Sequence, residues 1–124
     1  MNLALDIRAF VEKTGKNADK KVQKICLDLV SGIVMKTPVD TGRARANWQT
    51  SIGSPKDREV DTTDPGGTKA INNALDDIAK ANGNIFWITN NLPYIYRLEY
   101  EGWSKQAPMG MARITIENIR RQLR

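Results

Sequence analysis

Ile85-Phe86-Trp87-Ile88-Thr89-Asn90 is the stretch whose reading decides the fold. Residues 85–89 are β-branched or aromatic, they run without polar alternation, and they lie between the turn-forming Asn82-Gly83-Asn84 and Asn90-Asn91. That length and composition predict a strand, and apolar side chains on both of its faces predict a central strand covered on both sides. Immediately upstream, Ile71, Leu75, Ile78 and Ala79 recur at helical spacing, so a short helix is expected from a Thr68 cap to about Ala81. Downstream, Pro93 opens Tyr94-Ile95-Tyr96-Arg97-Leu98-Glu99-Tyr100-Glu101-Gly102, where Ile95 and Leu98 predict one or two helical turns closed by Gly102.

Further out, the strongest helical pattern runs from about Lys16 to Lys36. Ala18, Val22, Ile25, Leu29 and Ile33 share one face, flanked by Cys26 and Val30, and Pro38 ends the segment. Lys16, Lys20 and Lys24 line the opposite, solvated side. A first short helix is expected from Leu3 to about Thr14, on the spacing of Leu3, Ile7, Phe10 and Val11. Between the long helix and the central strand, Arg43 to Ile52 alternates: Ala44, Ala46, Trp48, Thr50 and Ile52 on one face, Arg43, Arg45, Asn47, Gln49 and Ser51 on the other. That is the period of a half-buried strand. From Gly53 to Thr68 the chain holds two prolines, three glycines, four acids and two bases with almost no apolar residue, so residues 53–68 are expected to form a long, mobile loop. The last helix starts near Pro108, with Ala112, Ile116, Ile119 and Leu123 along an apolar stripe and Arg113, Glu117, Arg120 and Arg124 beside it. Together these elements predict an α+β fold: a small mixed or antiparallel sheet packed by a long amphipathic helix, with a basic amphipathic helix at the end.

The 124 residues make one domain, large enough to bury a core without disulfides or a structural metal. With no His and one Cys, the chain has no His-based triad, no Cys–His nucleophile and no zinc site of His and Cys. Composition therefore points to binding or assembly rather than catalysis, with a Mg²⁺ site made of carboxylates as the chemistry left open, and no cofactor is expected. No run approaches the roughly 20 apolar residues of a membrane span. The amino terminus lacks the pattern of a signal peptide, which predicts a reducing cytosol and a free Cys26 thiol. The net charge is +5, with the excess at the two ends: residues 1–36 carry seven Lys and Arg against four acids, and residues 103–124 carry five against one. Such a balance permits contact with nucleic acid but identifies no partner.

Three short motifs invite a chemical reading. Asp40-Thr41-Gly42 has the triplet of an aspartic protease, which requires a buried carboxylate shared with a dimer mate. The flanks do not fit that chemistry, and a local turn with Gly42 at positive φ accounts for the residues. Asp57, Glu59, Asp61 and Asp64 lack the spacing of a calcium loop. Tyr94, Tyr96, Tyr100 and Trp103, next to Arg97, Lys105 and Arg113, have the composition either of an interface anchor or of a base-stacking surface, with half of them expected in the core.

Two stretches read together carry a resemblance. Thr37-Pro38-Val39-Asp40-Thr41-Gly42-Arg43-Ala44-Arg45-Ala46-Asn47-Trp48, then Tyr94 to Gly102 followed by Ser104-Lys105-Gln106-Ala107-Pro108-Met109-Gly110, resemble the neck or tail-completion proteins of long-tailed bacteriophages. That family has a long amphipathic helix, a T-P-V-D-T-G-x-x-R-x-x-W turn and strand, a Y-x-x-x-L-E-Y-G segment, then A-P-x-G before a final helix. Here Glu101 intervenes between Tyr100 and Gly102, and Trp103 stands where small residues are usual. The resemblance implies a non-catalytic virion protein, assembled in the host cytoplasm. It implies a homo-oligomeric ring, about sixfold, at the head–tail joint, between the head-closure or connector protein and the tail terminator or tail tube protein. It also implies transient contact with genome DNA and no membrane. Candidate interface residues are Asp40, Arg43, Arg45, Trp48, Tyr94, Tyr96, Glu99, Tyr100 and Trp103, with the 53–68 loop as a candidate surface on the neighbouring subunit. Arg113, Arg120 and Arg124 are candidates for the DNA-facing lumen. The alternative from another class is a small basic protein that binds DNA without sequence preference.

Overall fold

A long helix, α1 (Ala18–Lys36), forms because Val22, Cys26, Val30, Ile33 and Val34 give it a continuous apolar face, and that face is fully buried. The computed structural model describes residues 1–6, 18–80 and 85–122. The remaining elements are β1 (Asn2–Asp6), α2 (Arg43–Ala46), β2 (Gln49–Ile52), α3 (Thr68–Ala79), β3 (Ile85–Thr89), α4 (Ile95–Tyr100) and α5 (Ala112–Gln122). Three strands form one antiparallel sheet in the order β1-β3-β2, with Leu3 opposite Ile88 opposite Thr50, and Leu5 opposite Phe86 opposite Ile52. These pairs share the face that joins the core, where Phe86 and Ile88 are 1% exposed. Helix α1 packs against α3 and α5, and α3 also packs against β2. The α+β class expected from the sequence is the class observed.

Several local expectations are corrected. Residues 2–6 form an edge strand, not the start of a helix, and Ile7, Phe10, Val11 and Lys16 lie outside the described residues, as do Asn82-Gly83-Asn84, Leu123 and Arg124. Strand β3 is central, but only one of its faces is closed along its whole length: on the other, Thr89 is buried, Trp87 is half-buried with its indole N–H donating to the Gly53 carbonyl at 3.1 Å, and Ile85 is exposed. The alternating segment 43–52 splits. Its first four residues make the single turn α2, and only Gln49–Ile52 is strand. Arg and Ala favour helix, and Gly42 at φ 92° turns the chain into it. Ala44 and Trp48 are buried four residues apart, so a helical turn satisfies the same burial that alternation suggested.

In α3 the buried residues are Ala70, Ala74 and Ile78, while Leu75 and Ala79 are exposed. The helix begins after Gly67 at φ 76°, without a side-chain cap from Thr68. Buried Asp64 supplies the anchor instead, its Oδ2 accepting the Ala70 N–H at 2.9 Å. The segment 53–67 has no regular structure, as its composition predicts, but it is tied down along its length. Asn47 accepts the Val60 N–H at 2.7 Å and donates to the Val60 carbonyl at 3.1 Å, Gln49 donates to Arg58, and Asn91 donates to Lys56.

Close backbone approach fixes the packing of α5 on α1. A Cβ at Gly32 would lie 2.5 Å from Thr115 Cγ2, so the glycine makes room for Thr115, which is itself buried. Cys26 is buried in the same core, and burial pushes its thiol up to about 12.

Candidate interaction surface

The two motif stretches build two internal braces, and these decide which of the expected site residues are free. At the C-terminal end of α1, the Thr37 hydroxyl donates to the Ile33 carbonyl at 2.7 Å and accepts the Trp48 indole N–H at 2.8 Å. Arg45 spreads its guanidinium over three backbone carbonyls: Nε to Thr37 at 3.0 Å, Nη2 to Met35 at 3.0 Å and Nη1 to Pro65 at 2.8 Å. This fork satisfies acceptors at a helix end and joins it to the loop. Gly42 closes the brace: its carbonyl accepts the Asp64 N–H at 2.9 Å, and a Cβ there would sit 2.5 Å from the Pro65 nitrogen. Trp48 is 2% exposed. Trp48, expected at an interface, is instead buried in the fold, and the guanidinium of half-buried Arg45 is engaged in holding it.

The second brace is Glu99. Its place beside Ile95 and Leu98 on the inner face of α4 buries it to 1% exposure. The carboxylate accepts three consecutive backbone N–H groups at the start of α5: Met111 at 2.6 Å and Ala112 at 3.0 Å on Oε2, and Arg113 at 2.8 Å on Oε1. These are the donors a helix N-terminus leaves without partners, and a negative group there also complements the helix dipole. Arg113 folds back on the same residue, with Nε 3.3 Å from Oε1 and Nη2 donating to the Glu99 carbonyl. Glu99 is corrected as an interface candidate, and Arg113 is drawn away from a lumen role. The signal for Glu99 was in the sequence: Ile95, Leu98 and Glu99 share the i, i+3, i+4 stripe that a helix buries.

What remains open is concentrated on α4 and the segment after it. Tyr96, Tyr100, Trp103 and Met109 are 57%, 55%, 59% and 68% exposed. Tyr96 and Tyr100 stack with centroids 5.9 Å apart, and Tyr94 and Trp103 meet tilted at 6.2 Å. Two of the exposed aromatics carry a guanidinium on the ring face: Arg97 lies 5.5 Å from the Trp103 centroid and Arg113 lies 4.5 Å from that of Tyr100. A cleft of about 310 Å³ separates this wall from the 38–44 turn and is lined by Val39, Asp40, Arg43, Tyr94, Leu98 and Trp103 among others. Gln106 ties its two sides together, accepting the Val39 N–H at 2.9 Å and donating to the Val39 carbonyl at 3.1 Å.

Asp40 is exposed, which does not fit the buried, proton-sharing carboxylate of an aspartic protease. Arg43 is half-buried and meets Glu59 at 3.3 Å. Arg120 is exposed near the end of α5, and Arg124 lies outside the described residues. Among the described residues no group of three or more acids or cysteines is placed to hold a metal ion, and no helix is long and apolar enough to cross a membrane. No family model matches the chain, and no curated protein and no solved structure matches it at a significant level.

Proposed function

We propose that this chain is a virion structural protein that forms a homo-oligomeric ring, about sixfold, at the head–tail joint of a long-tailed phage. In this reading it stands between the head-closure or connector protein and the tail terminator or tail tube protein, carries no catalytic activity, and surrounds the passage of the genome DNA. The observation that carries the reading is the exposed group Tyr96, Tyr100, Trp103 and Met109 with Arg97 and Arg113 against it. Aromatic residues, Met and Arg are the side chains that dominate the centres of protein interfaces. A domain whose other large apolar side chains are mostly buried gains nothing in its own stability from leaving these in water.

The resemblance supplies the kind of assembly, and the braces give its motifs a physical reason. Thr37, Gly42, Arg45 and Trp48 hold the end of α1, and Glu99 with Gly110 holds the start of α5. Arg120, exposed in the last turn of α5, is the candidate among the described residues that stays open for a moderately basic lumen.

The test is to produce phage particles without this chain and image the products by electron microscopy. Filled heads and separate tails are expected, with joining restored when the protein is supplied. Intact, infectious, joined particles would overturn the assignment.

A further inference from the structure

The hydrogen bonds of the sheet fix which backbone groups its two edges offer. Met1 and Asn90 exchange both of their N–H···O bonds, at 2.8 and 2.9 Å, and the Gly53 N–H donates to the Ile85 carbonyl at 2.8 Å. Bonded and non-bonded pairs alternate along an antiparallel ladder. Leu3 and Leu5 therefore bond to β3, while the N–H and C=O groups of Asn2 and Ala4 point away from the sheet. At the opposite edge Gln49 and Ser51 bond to β3, while the groups of Thr50 and Ile52 point away. Among the described residues no further strand pairs with either edge. Neither strand carries the Pro, Lys or bulge that keeps an edge from pairing. The outer edge of β2 opens into two adjoining clefts, of about 440 and 490 Å³, between Asp77 of α3 and Lys56 of the 53–67 segment.

The two edges fit each other in one arrangement. Thr50 and Ile52 share the core face with Leu3 and Leu5, whereas Asn2 and Ala4 are exposed on the other face. In an antiparallel pair, residues whose groups point at the partner strand stand opposite each other. Thr50 would then face Asn2 or Ala4 of a second copy, and the two cores would lie on opposite sides of the sheet. In a parallel pair such a residue stands opposite one whose groups point away, so Thr50 faces Leu3 and both cores stay on one side. Strands β1 and β2 run in the same direction, each being antiparallel to β3, so parallel pairing needs no reversal between copies. Antiparallel pairing needs a half-turn, and neighbours in a sixfold ring differ by a sixth of a turn.

We propose that β1 of one copy adds to the outer edge of β2 of the next as a parallel strand, with Gln49, Thr50, Ser51 and Ile52 opposite Asn2, Leu3, Ala4 and Leu5. The Ala4 N–H donates to the Thr50 carbonyl, and the Ile52 N–H donates to the Ala4 carbonyl. The inference rests on the ring reading above and names the backbone contact that joins the subunits.

The test is sedimentation equilibrium of edge variants over a wide concentration range. Ala4→Pro removes an outward N–H and no bond within the chain. Its circular dichroism should match the wild type, while self-association weakens about 10-fold or more. Ala4→Ser keeps the N–H and should associate as the wild type does. As a second readout, Ala4→Cys/Ser51→Cys puts thiols on adjacent strands about 4.8 Å apart, within disulfide reach. Mild oxidation should give a ladder of linked multimers from the pair and none from either single variant. Should Ala4→Pro lose its fold, the cysteine pair decides. Undiminished association of a folded Ala4→Pro protein, or no ladder from the cysteine pair, overturns the contact. A linked dimer from Ala4→Cys alone, as abundant as the ladder, marks a two-fold pairing of β1 edges and overturns it as well. Failure of the ring reading is separate: it would show as absence of the protein from particles, whatever its self-association in solution.

Discussion

Glu99 and Gly110 approach so closely that a Cβ on Gly110 would lie 2.5 Å from the Glu99 carbonyl oxygen and 2.8 Å from its Oε2. Gly110 also adopts φ 83°, a left-handed conformation that disfavours every other L-residue. The glutamate and the glycine are two halves of one device that starts α5. Glu99→Ala should strand three backbone donors, at a cost of about 1–3 kcal/mol for each that stays buried. Gly110→Ala should cost a comparable total through clash and strain. Urea denaturation of both variants checks this, and a loss below about 1 kcal/mol in either would count against the brace.

Arg45→Lys tests the fork at the end of α1. A lysine ammonium cannot reach the carbonyls of Met35, Thr37 and Pro65 together in the planar geometry that Arg45 uses. A loss of about 1–3 kcal/mol is expected, with increased amide exchange in the segment after Asp64 as the local readout.

Gly32→Ala should be destabilising although alanine is the better helix former. The added methyl meets Thr115 Cγ2 at 2.5 Å, and overpacking of that kind costs about 1–3 kcal/mol. Thr115→Ser removes the clashing methyl and keeps the hydroxyl that donates to Met111. The double variant Gly32→Ala/Thr115→Ser should therefore regain the loss, by up to about 1 kcal/mol of helix propensity. Thermal unfolding of the two singles and the double closes the cycle.

Cys26 makes stability pH-dependent on the alkaline side. Burial raises its thiol from 9.0 to about 12, so the folded state favours the neutral form. The contribution is fully present below pH 9 and is lost as pH rises from about 9 towards 12, because the unfolded chain releases the proton first. Comparing the unfolding midpoint of the wild type with that of Cys26→Ala across pH 8 to 11 isolates this residue. The wild type should fall more steeply, and Cys26 should react with thiol reagents only on unfolding.

The elements legible in the sequence were those whose signal is local and long. Helix α1 has five turns of apolar periodicity and a proline just beyond its end, and β3 is a dense apolar run between turn residues. What escaped depends on distant partners. Leu3-Ala4-Leu5 is compatible with either period, and pairing with Phe86 to Ile88, more than eighty residues away, makes it a strand. The Arg43–Ala46 turn is held by Arg45 reaching to Met35 and Pro65, and no window of sequence around it contains both partners. The same distance explains the site residues. Asp40, Arg43, Tyr94, Tyr96, Tyr100 and Trp103 are at least partly available at the surface, whereas Trp48 and Glu99 are buried and Arg45 is engaged by three carbonyls, although all but Trp103 belong to the same two motifs.

The most direct measurement is quantitative mass spectrometry of purified particles, comparing the copy number of this protein with that of the portal. The account predicts a low, fixed stoichiometry, about six per particle, as a single ring requires. Absence from the particle, or hundreds of copies per particle, would contradict it.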